Sequence, residues 1–346
     1  MTNCTAIGID LAKRTFQVCE LDTRSHQEIS NRAVKRRELL KIMSQHPPCR
    51  VFMEVCGGAH YWSRQFRAMG HEVKLIPPQF VVPYRQGHKT DRNDAYAIVE
   101  AGLRPKMKFS PSKNLTQQDI QSQHRVRDRL QKQRIQLINQ THGLLQEYGI
   151  ASGRGERALR RCIHESIEDA ENELTPVIRD LLMEQLEELS EIEKRLARMD
   201  KRIACHAHQH EGCRALLSLE GVGPVVSTLL YCALGQGEAF RRGREASAYL
   251  GLTPKQKSTG DRVILTGIGK TGHPQLKAAL IRGAHSVLQT INTKQDPKSR
   301  WLQQLVARSG KNKAAVALAN KTVRHAWAIL RLGDDYCPHS PSPVAG

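Results

Sequence analysis

Ala6-Ile7-Gly8-Ile9-Asp10 is a short apolar run that ends in a carboxylate, and Val51-Phe52-Met53-Glu54 repeats that pattern further along the chain. Short apolar runs bounded by polar or turn-forming residues are typical of buried strands. On this basis we predict strands over 5–9, 15–21, 26–34, 50–55 and 72–76, and helices over 37–45 and 60–69. This β-β-β-α-β-α-β order indicates a mixed sheet with helices packed on it. Asp10 and Glu54 are then expected at the ends of neighbouring central strands.

Two further acids follow in Lys89-Thr90-Asp91-Arg92-Asn93-Asp94. Their spacing of three residues places Asp91 and Asp94 on one face of a helical turn, so we expect them to converge with Asp10 and Glu54 in one crevice. Like charges repel unless a cation holds them together, and Mg²⁺ or Mn²⁺ prefers oxygen ligands. The cluster therefore predicts a divalent-metal site that acts on a phosphodiester. For any one acid taken alone, a helix cap or a solvated loop is an equally good interpretation.

The charge of the chain indicates its partner. It has 346 residues, with 53 Lys and Arg against 34 Asp and Glu and a net charge of +19, which favours a partner rich in phosphate, hence DNA or RNA. The nine cysteines include no Cys-x-x-Cys pair, and no apolar run approaches the length of a membrane span. We therefore expect a cytoplasmic, nucleoid-associated protein with no membrane partner.

The middle of the chain, 106–207, is rich in charge and poor in strand patterns. Apolar residues recur at heptad spacing over 178–203, and a second stripe comprises Val126, Leu130, Leu137 and Leu144. This periodicity predicts two long paired helices, a coiled-coil region, joined by a turn over 150–162. Such a stripe is typical of packing within one chain, although a projecting hairpin also suits oligomerisation.

The last third carries two glycine-containing segments of interest. Gly221-Val222-Gly223-Pro224 resembles the helix-hairpin-helix turn, in which Gly221 and Gly223 would let the backbone approach a phosphate; a tight turn in a helical domain is the alternative. Ser258-Thr259-Gly260 is by its pattern a turn. Helices are expected over 225–234 and 274–288 and again near the C-terminus, with a break at 309–311. The tail from 333 has the composition of a disordered segment.

At motif level the chain resembles a known family. The ordered blocks at 8–13, 52–58 and 89–95 are similar to those of the DEDD transposases of bacterial insertion sequences, whose N-terminal domain resembles Holliday-junction resolvases of the ribonuclease H fold. The segments 248–260 and 267–272, with the helix after them, are similar to the second domain of that family. Departures from the family pattern are Asp261, Gly269, His273 and Lys277.

This resemblance implies roles for particular residues. Asp10, Glu54, Asp91 and Asp94 would hold Mg²⁺ or Mn²⁺, and Ser258 would be the nucleophile that forms a covalent bond to DNA, with Thr259 as the alternative hydroxyl. Lys277 replaces a usual arginine, and a lysine cannot make the bidentate contact of a guanidinium. The resemblance also implies a structured noncoding guide RNA and a homo-oligomer, either dimer or tetramer. The expected phosphate contacts are Lys255, Lys257, Lys270 and Lys277.

From these patterns we predict an α/β ribonuclease H-like domain over 1–105, a helical coiled-coil region over 106–207, a mainly α transposase domain over 208–332 and a disordered tail over 333–346. The expected function is a DNA transposase or recombinase. One alternative is a metal-dependent, resolvase-like nuclease that uses water and keeps Ser258 as a structural residue. Another is a noncatalytic RNA- or DNA-binding protein. A sugar-kinase-like ATPase shares the Gly-x-Asp opening but needs a later glycine-rich nucleotide loop, which the sequence lacks.

Overall fold

A computed structural model describes residues 5–260, 262–269 and 272–333, which fall into two compact units. Unit 1 comprises the described residues within 1–117 and 233–241, and unit 2 those within 118–232 and 242–346. The division into three domains and a tail that the sequence suggested stays a prediction. Among the described helices, none is long and apolar enough to cross a membrane.

Unit 1 is built on a five-stranded mixed sheet in the order β3-β2-β1-β4-β5, which confirms the predicted α/β layout. Strands β1, β4 and β5 run parallel, whereas β2 pairs antiparallel with both β1 and β3. The strands are β1 (Thr5–Asp10), β2 (Thr15–Asp22), β3 (Glu28–Lys35), β4 (Arg50–Glu54) and β5 (Glu72–Ile76). The helices are α1 (Leu39–Gln45), α2 (Ala59–Ala68), α3 (Pro78–Val81) and α4 (Asp91–Gly102), and a 3₁₀ turn spans Val82–Tyr84.

Both faces of the sheet are covered because side chains alternate along each strand. Ile7, Ile9 and Met53 point to one face and share a buried cluster with the residues of α1 and α2. Ala6 and Phe52 point to the other face and share a second buried cluster with α4. The central strands are therefore apolar on both faces, as expected for the parallel part of a sheet.

Two glycines let α4 lie directly on the sheet. A Cβ at Gly8 would lie 2.6 Å from the Ala95 carbonyl oxygen and 2.7 Å from the Val99 Cβ. A Cβ at Gly102 would overlap the ring of Phe52. Because neither position carries a side chain, the helix axis approaches β1 and β4 closely, and the direction of α4 is fixed relative to those strands.

Unit 2 is mostly helical and contains one two-stranded hairpin. The long helices of which all or most residues lie in it are α5 (Leu115–Glu147), α6 (Glu156–Glu168) and α7 (Pro176–Gln209), and the shorter ones that follow are α8 (Glu211–Leu216), α9 (Pro224–Leu234) and α10 (Gly243–Tyr249). The hairpin consists of β6 (Pro254–Thr259) and β7 (Arg262–Ile268), and the remaining helices are α11 (Pro274–Gln289), α12 (Pro297–Ser309) and α13 (Lys311–Leu332). The predicted break near 309–311 is confirmed at Gly310, which separates α12 from α13.

The two long helices α5 and α7 pack on each other, as the heptad stripes predicted. Leu130 and Leu137 of α5 form a buried cluster with Leu189, Ile192 and Leu196 of α7. That this packing is a regular coiled coil stays a prediction.

The predicted turn over 150–162 is wrong in its second half, because α6 begins at Glu156. This helix buries Leu159 and Ile163. The Glu156 carboxylate pairs with Arg134 of α5 and with Arg160, and Arg160 Nη2 also lies 2.9 Å from Glu193 Oε2 of α7. Leu159 and Ile163 are four residues apart, as on one face of a helix, but the many charged residues around them made this pattern hard to recognise in the sequence.

The predicted disordered tail, 333–346, lies outside the described residues except for Gly333. That glycine caps the C-terminal end of α13 with a φ of +69°.

Candidate active site

The acid cluster lies where β1 and β4 end. Ile9 pairs with Met53 in the parallel ladder, so Asp10 and Glu54 follow at the same edge of the sheet. Alternation from Ala6 and Gly8 places the Asp10 side chain on the α4 face, and Glu54 follows Phe52 onto that same face. The prediction that Asp10 and Glu54 end neighbouring central strands is confirmed.

The first turn of α4 brings the other two acids to this edge. Gly8 packs against Ala95, so the preceding turn, which holds Asp91 and Asp94, lies towards the end of β1. The Thr90 side chain caps the helix by accepting a hydrogen bond from the Asn93 amide at 3.3 Å. The partial positive charge of a helix N-terminus favours carboxylates at these positions.

The fields of these carboxylates act on one another. Burial, followed by the charges of Asp94 and Asp91, raises the pKa of Asp10 above its usual range, although Lys89 and a hydrogen bond from the Leu11 amide oppose the rise. Burial, then Asp10 and Asp94, likewise raise the pKa of Glu54. The structure therefore concentrates negative charge at this edge of the sheet, where a cation would relieve the repulsion.

Two cations from the segment before α4 already oppose this charge, and neither was predicted from the sequence to belong to the site. Arg85 Nη1 lies 3.3 Å from Asp94 Oδ1. Lys89 lowers the pKa of both Asp10 and Glu54 through its charge, and Arg85 does the same to Glu54. The sequence signal for them was weak, because Arg85 and Lys89 are two of 53 basic residues.

Within the described parts of the chain, no group of three or more His, Cys, Asp or Glu side chains is arranged to hold a metal ion as it stands. The donor set nevertheless fits a hard divalent cation, because it consists of carboxylates alone and because burial, followed by the charges of neighbouring acids, raises the pKa of two of them. Asp94 is the acid whose carboxylate is paired with Arg85.

Arg92, which lies between Asp91 and Asp94 in sequence, ties α4 to the edge of the sheet. Its guanidinium pairs with Glu28 of β3 and donates to the Asn31 carbonyl oxygen at 3.4 Å. The Asn31 side chain in turn donates to the Arg92 carbonyl oxygen at 3.1 Å. These contacts fix the first turn of α4 and, with it, the direction of both acids.

Ser258 lies in unit 2, on the hairpin of β6 and β7. The prediction that it sits in a turn is wrong, because Ser258 pairs across the ladder with Val263 and the chain reverses after Thr259. Gln256 Nε2 donates to Ser258 Oγ at 2.8 Å along the same face. All six residues of β6 are exposed, so the hydroxyl is open to solvent.

Of the two lysines near Ser258, Lys257 lies on the opposite face of the hairpin. Lys257 pairs with Ile264, and adjacent residues of a strand point to opposite faces, so its ammonium group points away from the Ser258 hydroxyl. Lys255 accepts a hydrogen bond from the Thr266 hydroxyl through its backbone carbonyl at 3.1 Å, and its side chain is exposed. The neighbouring position of Lys257 in the sequence therefore does not place its ammonium group beside the Ser258 hydroxyl, and the phosphate contacts of both lysines stay predictions.

The remaining predicted contacts differ in their surroundings. Gly221 has a φ of +78° and packs against Gly283 of α11, whereas a Cβ at Gly223 would meet nothing within 4 Å. Lys277 is buried and donates to the Gly269 carbonyl oxygen at 2.6 Å, and burial lowers the pKa of its ammonium group. This placement favours a structural role for Lys277. Lys270 lies outside the described residues.

Comparison with known families matches both halves of the chain. A DEDD-type transposase family model matches residues 7–150, which contain all four acids. The model of the transposase IS116/IS110/IS902 family matches residues 213–300, which contain Ser258.

Relatives match over nearly the whole length. The chain is 42% identical to a Pseudomonas aeruginosa protein named "Probable family 20 transposase", over 97% of this chain and 99% of the relative. It is 38% identical to the transposase for insertion sequence element IS1111A of Coxiella burnetii, over 97% of this chain and 92% of that protein. A pilin gene-inverting protein of Moraxella bovis is 19% identical over 94% of this chain and 96% of its own. The chain therefore belongs to the IS116/IS110/IS902 family of insertion-sequence transposases and is a DNA recombinase.

Proposed function

We propose that this transposase cuts and rejoins DNA through a transient phosphoserine bond at Ser258, with the acid cluster of Asp10, Glu54, Asp91 and Asp94 as its divalent-metal site. The observation that carries the proposal is the meeting of the strand-end acids with the first turn of α4 at one edge of a sheet. The order of strands and helices in unit 1 supports a ribonuclease H-like, resolvase-like interpretation of that sheet.

The acids would ligate Mg²⁺ or Mn²⁺ through carboxylate oxygens, and such a cation polarises the phosphodiester and offsets charge on the attacking and leaving oxygens. The chain's own residues prepare the site for it. The Leu11 amide and the positive end of α4 stabilise the charged form of the acids, and Arg92 holds α4 against β3. Side-chain rotation of Asp94 away from Arg85 would free a further ligand.

The serine chemistry would conserve the energy of the phosphodiester. Ser258 Oγ loses its proton and forms a bond to phosphorus, while the bond from phosphorus to the sugar oxygen breaks and that oxygen takes up a proton. Attack by a second sugar hydroxyl on the phosphoserine reverses these changes and rejoins the strand. Gln256 is positioned to orient the Ser258 hydroxyl, because its amide donates to the oxygen.

Strand rejoining, as opposed to hydrolysis, is supported by the relatives. Proteins named as transposases of insertion sequences move DNA segments, and a gene-inverting protein by its name reverses one. Both outcomes leave intact DNA, which a hydrolytic nuclease does not produce. The water-using nuclease is therefore the second candidate and is separated by the experiment below.

We also propose that a structured noncoding RNA guides the choice of DNA sites and that the protein acts as a homo-oligomer. The net charge of +19 supports a partner with more phosphate than one duplex offers. The acids and Ser258 belong to different compact units, and the long paired helices α5 and α7 offer a surface for assembly of protomers. The guide role is otherwise implied by family resemblance.

The decisive experiment is to trap the covalent link. The protein is incubated with end-labelled DNA of its own element junction, the flanking transcript and Mg²⁺, then denatured and resolved on a gel. We expect a protease-sensitive adduct with wild type, none with Ser258→Ala, and an adduct with Thr259→Ala. Thr266→Ala is the matched control, since it removes another hydroxyl from the same hairpin.

Each outcome has a meaning. An adduct lost only in Thr259→Ala would move the nucleophile to Thr259. Strand cleavage that persists in Ser258→Ala, with no adduct from wild type, would support the nuclease. Asp10→Asn should abolish both cleavage and adduct, and full activity of that variant would refute the metal site.

A further inference from the structure

We propose that a basic cluster in unit 2, formed by Lys294, Lys298, Lys321 and Arg324, is a second phosphate-binding site for the nucleic acid backbone, and that Glu220 occupies it until a phosphate arrives. The inference rests on the proposed function only in that nucleic acid is the partner. It concerns none of the residues assigned to strand cleavage.

Glu220 pairs with two lysines of the cluster and lies immediately before the Gly221-Val222-Gly223 turn. Lys294 Nζ lies 3.0 Å from Glu220 Oε1, and Lys298 Nζ lies 2.7 Å from Glu220 Oε2. The side chain of Lys298 is 10% exposed and that of Glu220 is 37% exposed. The carboxylate can therefore rotate to solvent, whereas Lys298 is held in place by its burial.

Helix α13 contributes the other two cations. The Lys321 ammonium lies 4.9 Å from the centre of the Trp301 ring, a cation–π contact that fixes its direction. Arg324 follows one helical turn later, and His325 lies beside it. A shallow cleft joins these elements, lined by Leu219, Glu220, Lys298, Lys321, Thr322 and His325.

The electrostatics of the cleft are those of a site with surplus positive charge. Burial, followed by the charges of Lys298 and Arg324, lowers the pKa of Lys321. Burial, then Lys321, Lys298 and Arg324, lowers the pKa of His325 to about 4, so this imidazole is neutral at physiological pH. One carboxylate shared by two lysines leaves Lys321 and Arg324 to repel each other and Lys298, and a bound anion would offset that repulsion.

Phosphate is the anion that suits this arrangement. A carboxylate and the two nonbridging oxygens of a phosphodiester both present a pair of acceptors, so a phosphate can take the lysine contacts that Glu220 now makes. A Cβ at Gly223, in the turn after Glu220, would meet nothing within 4 Å, so the sugar-phosphate backbone of a nucleic acid has room to approach there. Lysine and arginine contacts to phosphate add affinity without reading base sequence.

The test measures binding in the absence of divalent cations, so that strand cleavage plays no part. Fluorescence anisotropy over a range of salt concentrations would compare Lys321→Gln and Lys298→Gln with Lys313→Gln, a control on the exposed start of α13. We expect each cluster variant to bind unrelated sequences more weakly and to lower the magnitude of the salt slope by about 1, while the control changes little. Lys321→Arg should restore binding.

The Glu220→Gln variant should change nucleic acid affinity in the opposite direction, and it distinguishes a phosphate site from a purely structural ion pair. Removing the competing carboxylate should tighten nucleic acid binding more than Glu187→Gln, an exposed control on α7. Loss of a purely structural pair would lower the unfolding temperature and leave affinity at the level of the control. Unfolding temperatures of all variants show whether unit 2 remains folded.

Running the assay with duplex DNA and with the element's RNA distinguishes the source of the phosphate. If the cluster variants lose more affinity for one of the two nucleic acids, the site is assigned to that one. An equal loss of affinity for DNA and RNA assigns the site to both. The inference would be overturned if Lys321→Gln bound nucleic acid as tightly as its control Lys313→Gln, or if Glu220→Gln bound no more tightly than its control Glu187→Gln. Neither result would bear on the serine chemistry. Absence of the serine adduct, with normal effects here, would overturn the chemistry alone.

Discussion

At the scale of single residues, the acid cluster lowers the stability of the fold when its carboxylates are ionised. Burial by the sheet and α4 raises the pKa of both Asp10 and Glu54. The charges of Asp94 and Asp91 raise that of Asp10 further, and the charges of Asp10 and Asp94 raise that of Glu54. A carboxyl whose pKa is raised on folding stabilises the folded state below its unfolded pKa, and that contribution is lost as pH rises through the folded value. At neutral pH the ionised cluster therefore lowers the stability of the metal-free protein.

Asp10→Asn should accordingly raise the unfolding temperature in EDTA at neutral pH and remove the further rise that we expect Mn²⁺ to give the wild type if the acids are the metal site. Thermal unfolding with and without Mn²⁺ measures both effects. Asp22→Asn is the control with opposite sign, because hydrogen bonds from the Ser25 and Arg24 amides lower the pKa of Asp22. If Mn²⁺ stabilised the Asp10→Asn variant as much as wild type, the acids would not be the metal site.

At the scale of elements, the seating of α4 links the fold to the site. Gly8 allows the helix backbone to touch β1, and the acids of the first turn take their position from that contact. Any side chain at this point must push away the Ala95 carbonyl and Val99, both of which belong to a buried part of unit 1.

Gly8→Ala should therefore lower the free energy of unfolding by about 1–3 kcal/mol, the usual cost of overpacking a core, and weaken Mn²⁺ binding as α4 shifts. Urea unfolding and metal titration measure the two effects. Gly143→Ala is the matched control: it lies on an exposed face of α5, where a Cβ meets nothing within 4 Å, and should raise stability by up to about 1 kcal/mol. If Gly8→Ala left the free energy of unfolding and Mn²⁺ binding unchanged, α4 would be able to move away from β1 with no loss of stability.

The sequence predicted the elements whose burial pattern is strong. The strands of unit 1, and the positions of Asp10 and Glu54 at the ends of β1 and β4, followed from apolar runs. A strand that is buried on both faces is apolar along nearly its whole length, so it is easily recognised in the sequence. The hairpin of β6 and β7 was not predicted, since β6 is polar and exposed throughout and lacks the alternation that identifies strands. Arg85 and Lys89 could not be recognised either, because their roles depend on the distance to Asp94 and Asp10 across the fold.

At the scale of the whole molecule, buried histidines make stability depend on pH. His124 is buried, and its Nε2 lies 2.9 Å from Thr228 Oγ1. The Thr228 hydroxyl donates to the Pro224 carbonyl oxygen at 2.7 Å, so Nε2 of His124 is the donor to Thr228. Its Nδ1 has no hydrogen-bond partner among the described residues, and burial lowers the pKa of His124 to about 4.

A histidine with a lowered pKa contributes stability above its unfolded pKa, and that contribution is lost as pH falls through the folded value. We therefore expect the contribution of His124 to the free energy of unfolding, up to about 3 kcal/mol, to be lost between about pH 6.5 and pH 4; its sign is opposite to that of Asp10 and Glu54. His325, whose pKa is also about 4, adds to the same trend. Urea unfolding across this range measures the slope, and His124→Gln should flatten it. An unchanged slope would mean that His124 is already solvated.

The hairpin that carries Ser258 has both of its surfaces bare, with Val263 and Leu265 64% exposed. A two-stranded hairpin by itself is only marginally stable in water, so we expect a ligand that covers this one to fix its shape. If Ser258 is the nucleophile proposed above, we expect accidental nicking of unrelated DNA to be rare, because only a ligand that covers the hairpin would hold the hydroxyl in one position.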